Sequence, residues 1–378
     1  MGEILGDVPL FREIQRVLVS SPGPINWELA RQVGIAVASW GTDDPPPTEA
    51  DLRGLTETVR AAELAVANLT GLSPPADVPE IQAFRRAQWV EATVLGLRDI
   101  LDPVAAKLSS ALESRGAVAL PEGQEMLGAL MGRMVPLLTG VQVGVALGHL
   151  GQRALAQFDL AVPRAGSVLH FVVPNLARFE SDWSLPAVEL RGWVALHEVA
   201  HRFEFARPWV REHFLRLVHD LVEHAEIDLS ELERGPEGLD LSNPEAFTNA
   251  LESTGNFFGR SSDPEQRLRI ARVRAFLVAA EGYADHVVES LGSTMLSSYG
   301  RIEEAMRRHR DGGAADQALE RLLGLEMNAE EHARGRAFFA RVAELTDEAT
   351  LGTMWSSAEA LPSVPELEEP TLWLARMA

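Results

Sequence analysis

Residues 193 to 203, Trp193-Val194-Ala195-Leu196-His197-Glu198-Val199-Ala200-His201-Arg202-Phe203, carry the pattern H-E-x-x-H within a stretch of helical periodicity. A helix turns by about 100° per residue, so His197 and His201 stand one turn apart on one face, where two imidazoles can grip a single metal ion. Glu198 lies just beside that face. The offset suits a carboxylate that does not bind the ion but reaches a water on it and takes its proton. Trp193, Leu196, Ala200 and Phe203 form a separate apolar stripe, which predicts a helix buried on one side with its imidazoles bordering a cleft on the other.

A catalytic zinc site has three protein ligands and a water, so the two imidazoles need a partner. The chain has no cysteine, which leaves His and carboxylate as the donors. The extended form H-E-x-x-H-x-x-G-x-x-H is excluded, because Glu204 and Arg207 stand where it requires Gly and His. The remaining pattern takes a glutamate from a later helix, and the best candidate is Glu281 in Ala279-Ala280-Glu281-Gly282-Tyr283-Ala284-Asp285-His286. Glu281 falls at the edge of the stripe formed by Val273, Phe276, Leu277, Ala280, Ala284, Val287 and Val288. A partly buried carboxylate there needs a compensating cation or hydrogen bonds. Glu281, Asp285 and Glu289 also follow one another at i, i+4, a run of like charges that is unfavourable unless something positive faces it. On this reading Glu281 is the third metal ligand, and Asp285 accepts a hydrogen bond from the far nitrogen of one metal-bound imidazole and fixes its tautomer. Glu204, Glu223, Glu226, His219 and His224 remain rivals, although His219 with Glu223 and Asp220 with His224 also fit exposed i, i+4 pairs. Tyr283 and His286 point to other sides of the helix and receive no role.

The rest of the chain sets the frame for this motif. Its 378 residues can bury a large core, and 46% hydrophobic with 24% charged residues is the composition of a folded globular protein. The 55 acidic residues against 34 Lys and Arg give a net charge of −21, which repels phosphate backbones and anionic lipid. Neither nucleic acid nor a membrane is therefore expected as a partner. Without a basic-then-apolar leader or a run of about 18 apolar residues, the expected location is cytoplasmic.

Helical patterns are predicted over residues 24–40, 48–72, opened by a cap at Thr48 with Asp51, and 79–113, with a break near Pro103. Residues 123–159 read as a buried helical region whose Gly140, Gly144, Gly148 and Gly151 permit a neighbouring helix to approach closely. Residues 167–173, rich in β-branched and aromatic side chains and ended by Pro174-Asn175, form the clearest strand. Pro186 then opens the H-E-x-x-H helix, and Pro208 closes it and starts another that runs through Glu226. Further helices are expected over 243–258 and 263–291, and again from 301 to 373, with Leu361-Pro362 and Glu369-Pro370 punctuating an extended tail. The expected organisation is a helical region over 1–122 and a region built around the motif over 123–378. In fold class the chain reads as mainly α with a small β element.

Gln157-Phe158-Asp159, residues 169–180 (LHFVVPNLARFE), 185–201 (LPAVELRGWVALHEVAH), Glu281 to His286, 321–327 (RLLGLEM) and 361–367 (LPSVPEL) give the chain a further character. Together they resemble the bacterial zincin-like metallopeptidases that are associated by name with deazaflavin coenzyme biosynthesis. The resemblance runs from about residue 123 to the end and more weakly through the first third. It implies an H-E-x-x-H helix core with added helical layers, zinc on His197, His201 and Glu281, and Glu198 as base. It supplies no substrate; the leading reading is hydrolysis of a peptide or amide bond, which allows a peptide or protein substrate, and the strand over 167–173 matches in chain order the edge strand that zincins place beside the metal. The alternative is a zincin-like protein that holds metal or a partner without peptidase activity. A purely helical scaffold with an accidental H-E-x-x-H is a third reading. No other cofactor-binding residues are expected.

Overall fold

The computed structural model describes residues 23–119, 125–164, 166, 168–225, 263–310, 327 and 329–378. The elements are α1 (Trp27–Ala38), α2 (Glu49–Thr70), β1 (Glu80–Phe84), α3 (Arg86–Ala119), α4 (Glu125–Gly151), a 3-10 turn (Gln157–Asp159), β2 (Val168–Val172), α5 (Val173–Asp182), α6 (Ala187–Phe205), α7 (Pro208–Glu223), α8 (Pro264–Met295), α9 (Tyr299–Arg310), α10 (Ala329–Leu345), and the short helices α11 (Glu348–Gly352), α12 (Val364–Glu368) and α13 (Pro370–Met377). The fold is mainly helical, as expected from the periodicity. Helix α6 is central: α2 packs on one side of it and α8 on another, with α10 laid over α8. A second group, α1 with α3 and α4, is joined to this one through α7, which touches both α3 and α8. One connected set of buried apolar side chains runs from Ile25 to Trp373.

Local chemistry explains several boundaries. Thr48 and Asp51 form a reciprocal capping box at the start of α2, which satisfies amides that the first helical turn leaves orphaned. Pro208 sits at the first position of α7, where its missing N–H costs nothing. Asp263 caps α8 through bonds from the amides of Glu265 and Gln266. Among the described residues no helix is long and apolar enough to cross a membrane.

The glycines of α4 do allow close approach. A Cβ at Gly140 would lie 2.6 Å from the carbonyl oxygen of Asn26, and one at Gly144 would lie 2.6 Å from that of Ala30. Helix α1 therefore rests almost directly on the backbone of α4. Gly144→Val is expected to overpack this contact and cost about 1–3 kcal/mol of stability. The check is the denaturant midpoint; a midpoint equal to that of the wild type would show that the two helices are not held so close.

Three expectations fail. Residues 80–84 form a strand instead of continuing a helix, with β1 parallel to β2 in the register Glu80↔Val168 to Phe84↔Val172. The pairing decides this: the ladder to β2 and packing against α2 outweigh the weak helical pattern of Glu-Ile-Gln-Ala-Phe, although the strand itself is only half-buried. Pro103 does not break its helix, and α3 runs through it. The tail beyond Leu361 is coiled into α12 and α13 instead of being extended, with Pro365 and Pro370 each in the first turn of a helix. The helix expected over 243–258 and residue Glu226 lie outside the described residues.

Candidate metal centre

Helix α6 delivers His197, Glu198 and His201 in one buried block, because its apolar face is gripped by α2 and α8. Helix α8 brings Glu281 across to meet them. The Nε2 atom of His197 lies 3.7 Å from one Glu281 oxygen, and the Nε2 atom of His201 lies 3.7 Å from the other. Donor atoms of these three residues all fall within 4.8 Å of one another. At 3.7 Å the nitrogens are too far from the carboxylate for good hydrogen bonds. Two donors each about 2.1 Å from a tetrahedral ion stand roughly 3.4 Å apart, so the observed spacing leaves room for a cation between them. Consistent with that, the Nε2 of His201 is fully buried and has no hydrogen-bond partner. The donor set, two imidazoles and a carboxylate without thiolate, suits zinc or another borderline divalent ion.

The imidazoles are held from behind. His201 Nδ1 bonds Glu204 Oε2 at 3.0 Å, a pairing that, with a metal bound, would keep the proton on Nδ1 and turn the Nε2 lone pair to the centre. The ring also stacks on Phe205, with centroids 5.2 Å apart. His197 stacks on Trp193 at 5.6 Å and 10°. Asp285 makes no bond to either ring among the described contacts, which corrects the role expected of it. One turn beyond Glu281, it meets the guanidinium of Arg310 instead, at 2.8 and 3.1 Å. Arg310 in turn lies over the Trp193 ring, 5.8 Å from its centroid. The carboxylate behind the imidazole is therefore Glu204, one of the rivals for metal ligation, while Asp285 supports His197 only indirectly, through Arg310 and Trp193.

Glu198 is 1% exposed. Its carboxylate accepts the backbone N–H groups of Gln157 at 3.1 Å and Phe158 at 3.0 Å. Asp159 holds that turn closed by accepting the amide of Ala156 at 2.8 Å. Asn175 ties the preceding chain to the carbonyls of Gly151 and Ala154 at 3.0 and 2.6 Å. The base is thus fixed by a turn whose sequence gives no sign of it beyond the triplet Gln157-Phe158-Asp159.

Charge in the centre follows from burial and proximity. Burial works to lower His201, yet Glu204 and Glu281 raise it to about 10. His197 is likewise raised against burial, by Glu198 and Glu281. Burial pushes Glu198 upward. It would do the same to Glu281, but the two imidazoles hold that carboxylate well below the ordinary range. A cation at the centre would take the place of the imidazole protons.

The centre opens into a cavity of about 150 Å³, lined by His197, Glu198 and Glu281, by Arg310, and along one wall by the chain from Ala154 to Val162. Strand β2 does not border it. It pairs with β1 on one side and bridges to Ala156 on the other, so the place expected for β2 is taken by 154–162. The other sequence rivals lie elsewhere. His219, Glu223 and His224 are exposed on or just after α7, where His224 pairs with Asp220 at 3.3 Å. Tyr283 packs between Phe339 and Trp355, and His286 bonds Glu348 at 2.9 Å.

The family profile described as zincin-like metallopeptidase matches residues 25–374. The fold is similar to a crystal structure of a Chloroflexus aurantiacus protein provisionally assigned as a hydrolase with a novel fold. That protein is 27% identical with a TM-score of 0.67, over 93% of this chain and 98% of the other. No match is found among curated proteins.

Proposed function

The chain belongs to the family of zincin-like metallopeptidases, and on that premise we propose that it is a zinc-dependent hydrolase of peptide or amide bonds. The observation that carries the reading is the convergence of both imidazole Nε2 atoms on the two oxygens of Glu281 at 3.7 Å, one of those nitrogens buried and unpartnered. His197, His201 and Glu281 would hold the ion. Zinc, when bound, supplies Lewis acidity, which polarises a carbonyl and makes a water easier to deprotonate. Glu198 borders the same cavity. There it takes the proton of the attacking water on a carboxylate oxygen and returns it to the leaving nitrogen. The amides of Gln157 and Phe158 keep that carboxylate aimed, and burial raises its proton affinity above that of an ordinary carboxylate. Trp193, Leu155, Phe158 and Leu160 give this cavity apolar walls beside the reacting atoms.

A second reading, metal binding without hydrolysis, is favoured by one observation: the Glu198 carboxylate is buried and already engaged by two backbone amides. Incubating the zinc-loaded chain with a broad peptide library, and reading products by mass spectrometry, separates the two. Cleavage that stops with a chelator and returns with zinc is expected. Stoichiometric zinc with no cleavage would leave the second reading standing.

Glu204→Gln is expected to weaken zinc affinity by about 10–100-fold, since it removes the charged acceptor on His201 Nδ1 without touching a ligand. Competition with a metal-sensitive dye measures this, and unchanged affinity would remove Glu204 from the centre's support.

A further inference from the structure

Phe158, which lines the metal cavity, also lines a second cavity of about 370 Å³ whose walls include Arg164, Arg202, Arg207 and Arg211. Four guanidinium groups around one space run against the composition of a chain carrying a net charge of −21. Two of them are accounted for. Arg202, 5% exposed, binds Glu63 at 2.6 Å and reaches Asp77, which also lines the cavity, at 3.4 Å. Arg211 pairs with Asp99.

The other two have no carboxylate within ion-pair distance among the described residues. Arg164 touches only the Thr93 hydroxyl, at 3.3 Å, and its Nε and Nη2 atoms are buried without a partner. Burial pushes it down to about 10, although Glu198 and Asp159 pull the other way. Arg207 is bonded only to the carbonyl of Phe203. The Nε of Arg202 is a further buried donor without an acceptor. The start of α7 borders the same space through Ala206, Arg207 and Pro208. No side chain caps that helix, which leaves the positive end of its dipole uncompensated.

We propose that this cavity binds a phosphate dianion, either free or as the end of a small phosphomonoester. Arg164 carries two buried donors without a partner and Arg207 is a half-buried guanidinium with no carboxylate beside it, and a ligand of charge near −2 balances both at once. A carboxylate would be saturated by a single guanidinium fork, whereas Arg164, Arg207, the free Nε of Arg202 and the start of α7, all bordering this space, offer donors for the several oxygens of a tetrahedral anion. The volume lies at the small end of ligand pockets, enough for a phosphoryl group with a short organic remainder. A polyanion such as nucleic acid is opposed by the overall charge. None of the residues lining this space is a donor of the metal centre, so the site stands whether or not the hydrolase reading does.

The test is calorimetric titration of the full-length, zinc-loaded chain with inorganic phosphate and, separately, glycerol phosphate, at matched ionic strength. Saturable one-to-one binding is expected, weakened about tenfold or more in Arg164→Gln and in Arg207→Gln. The exposed Arg341→Gln should leave it unchanged. Tighter binding of inorganic phosphate assigns the free anion, and tighter binding of the ester assigns the phosphomonoester; either supports the site. Hydrogen exchange on the wild-type chain gives a readout that does not depend on the variants folding: phosphate should slow the amides at the start of α7. Absence of saturable binding and of slowed exchange with both ligands overturns the proposal. So does binding that persists undiminished in both folded variants, which would put the anion on the metal centre.

Discussion

Glu198→Gln is expected to leave the chain folded and fully metal-loaded while lowering kcat/KM on any cleaved peptide by about 10²–10⁴-fold, the usual contribution of a positioned general base. Glutamine keeps the shape of the side chain. Its carbonyl oxygen can still accept from the amides of Gln157 or Phe158, which now bond the carboxylate at 3.1 and 3.0 Å. What it loses is the capacity to take a proton. The ligand set is untouched, because the nearest Glu198 oxygen is 3.8 Å from Nδ1 of His197 and the ligand nitrogen of that ring is Nε2. Zinc content and circular dichroism on the same preparation separate loss of chemistry from loss of metal or fold. A variant that hydrolyses at the wild-type rate, with contaminating peptidase excluded, would take the base role away from Glu198.

Glu281→Ala should have the opposite signature, with metal lost first and activity lost as a consequence. It deletes the only carboxylate among the described residues that faces both imidazole nitrogens. Loss of a direct donor must exceed the cost of losing an outer partner, so zinc affinity is expected to fall by more than about 100-fold. The fold should survive, since α8 is anchored by Val273, Phe276, Ala280, Ala284 and Val287, all buried. Competition with a chelator of known affinity reads the change directly. Wild-type affinity in the folded variant would mean that another donor completes the centre.

The helices that form the site were legible because their signals are local. The H-E-x-x-H spacing, the cap at Thr48 and Asp51, and the prolines at 186 and 208 all act within a turn or two of the residues they govern. Glu281 was legible for a related reason, since a carboxylate at the edge of an apolar stripe asks for a cation wherever the helix ends up. What escaped depends on partners far away in the chain. The strand Glu80–Phe84 owes its form to pairing with Val168–Val172, which no local pattern announces. The hold on Glu198 comes from backbone amides of Gln157 and Phe158, groups that every residue possesses and that leave no mark on the sequence.

The exchange of roles between Asp285 and Glu204 is instructive in the same way. Both are carboxylates one turn or less from a ligand, and spacing alone cannot tell which faces an imidazole. Glu204 stands at i+3 from His201 on the same helix, a neighbour position for a side-chain pair. That relation was the available signal. Asp285 is instead claimed by Arg310 from the end of α9, an element whose placement depends on the tertiary fold.

On this reading two imidazoles and Glu281 hold one divalent cation with a coordination position left open to the cavity. Anomalous X-ray scattering from crystals of the zinc-loaded chain, recorded on both sides of the zinc edge, tests it most directly. The predicted result is a single peak about 2.0–2.2 Å from His197 Nε2, His201 Nε2 and a Glu281 oxygen, with water in the fourth position. A peak elsewhere, no peak in a chain that binds zinc in solution, or a fourth ligand supplied by the protein would contradict it.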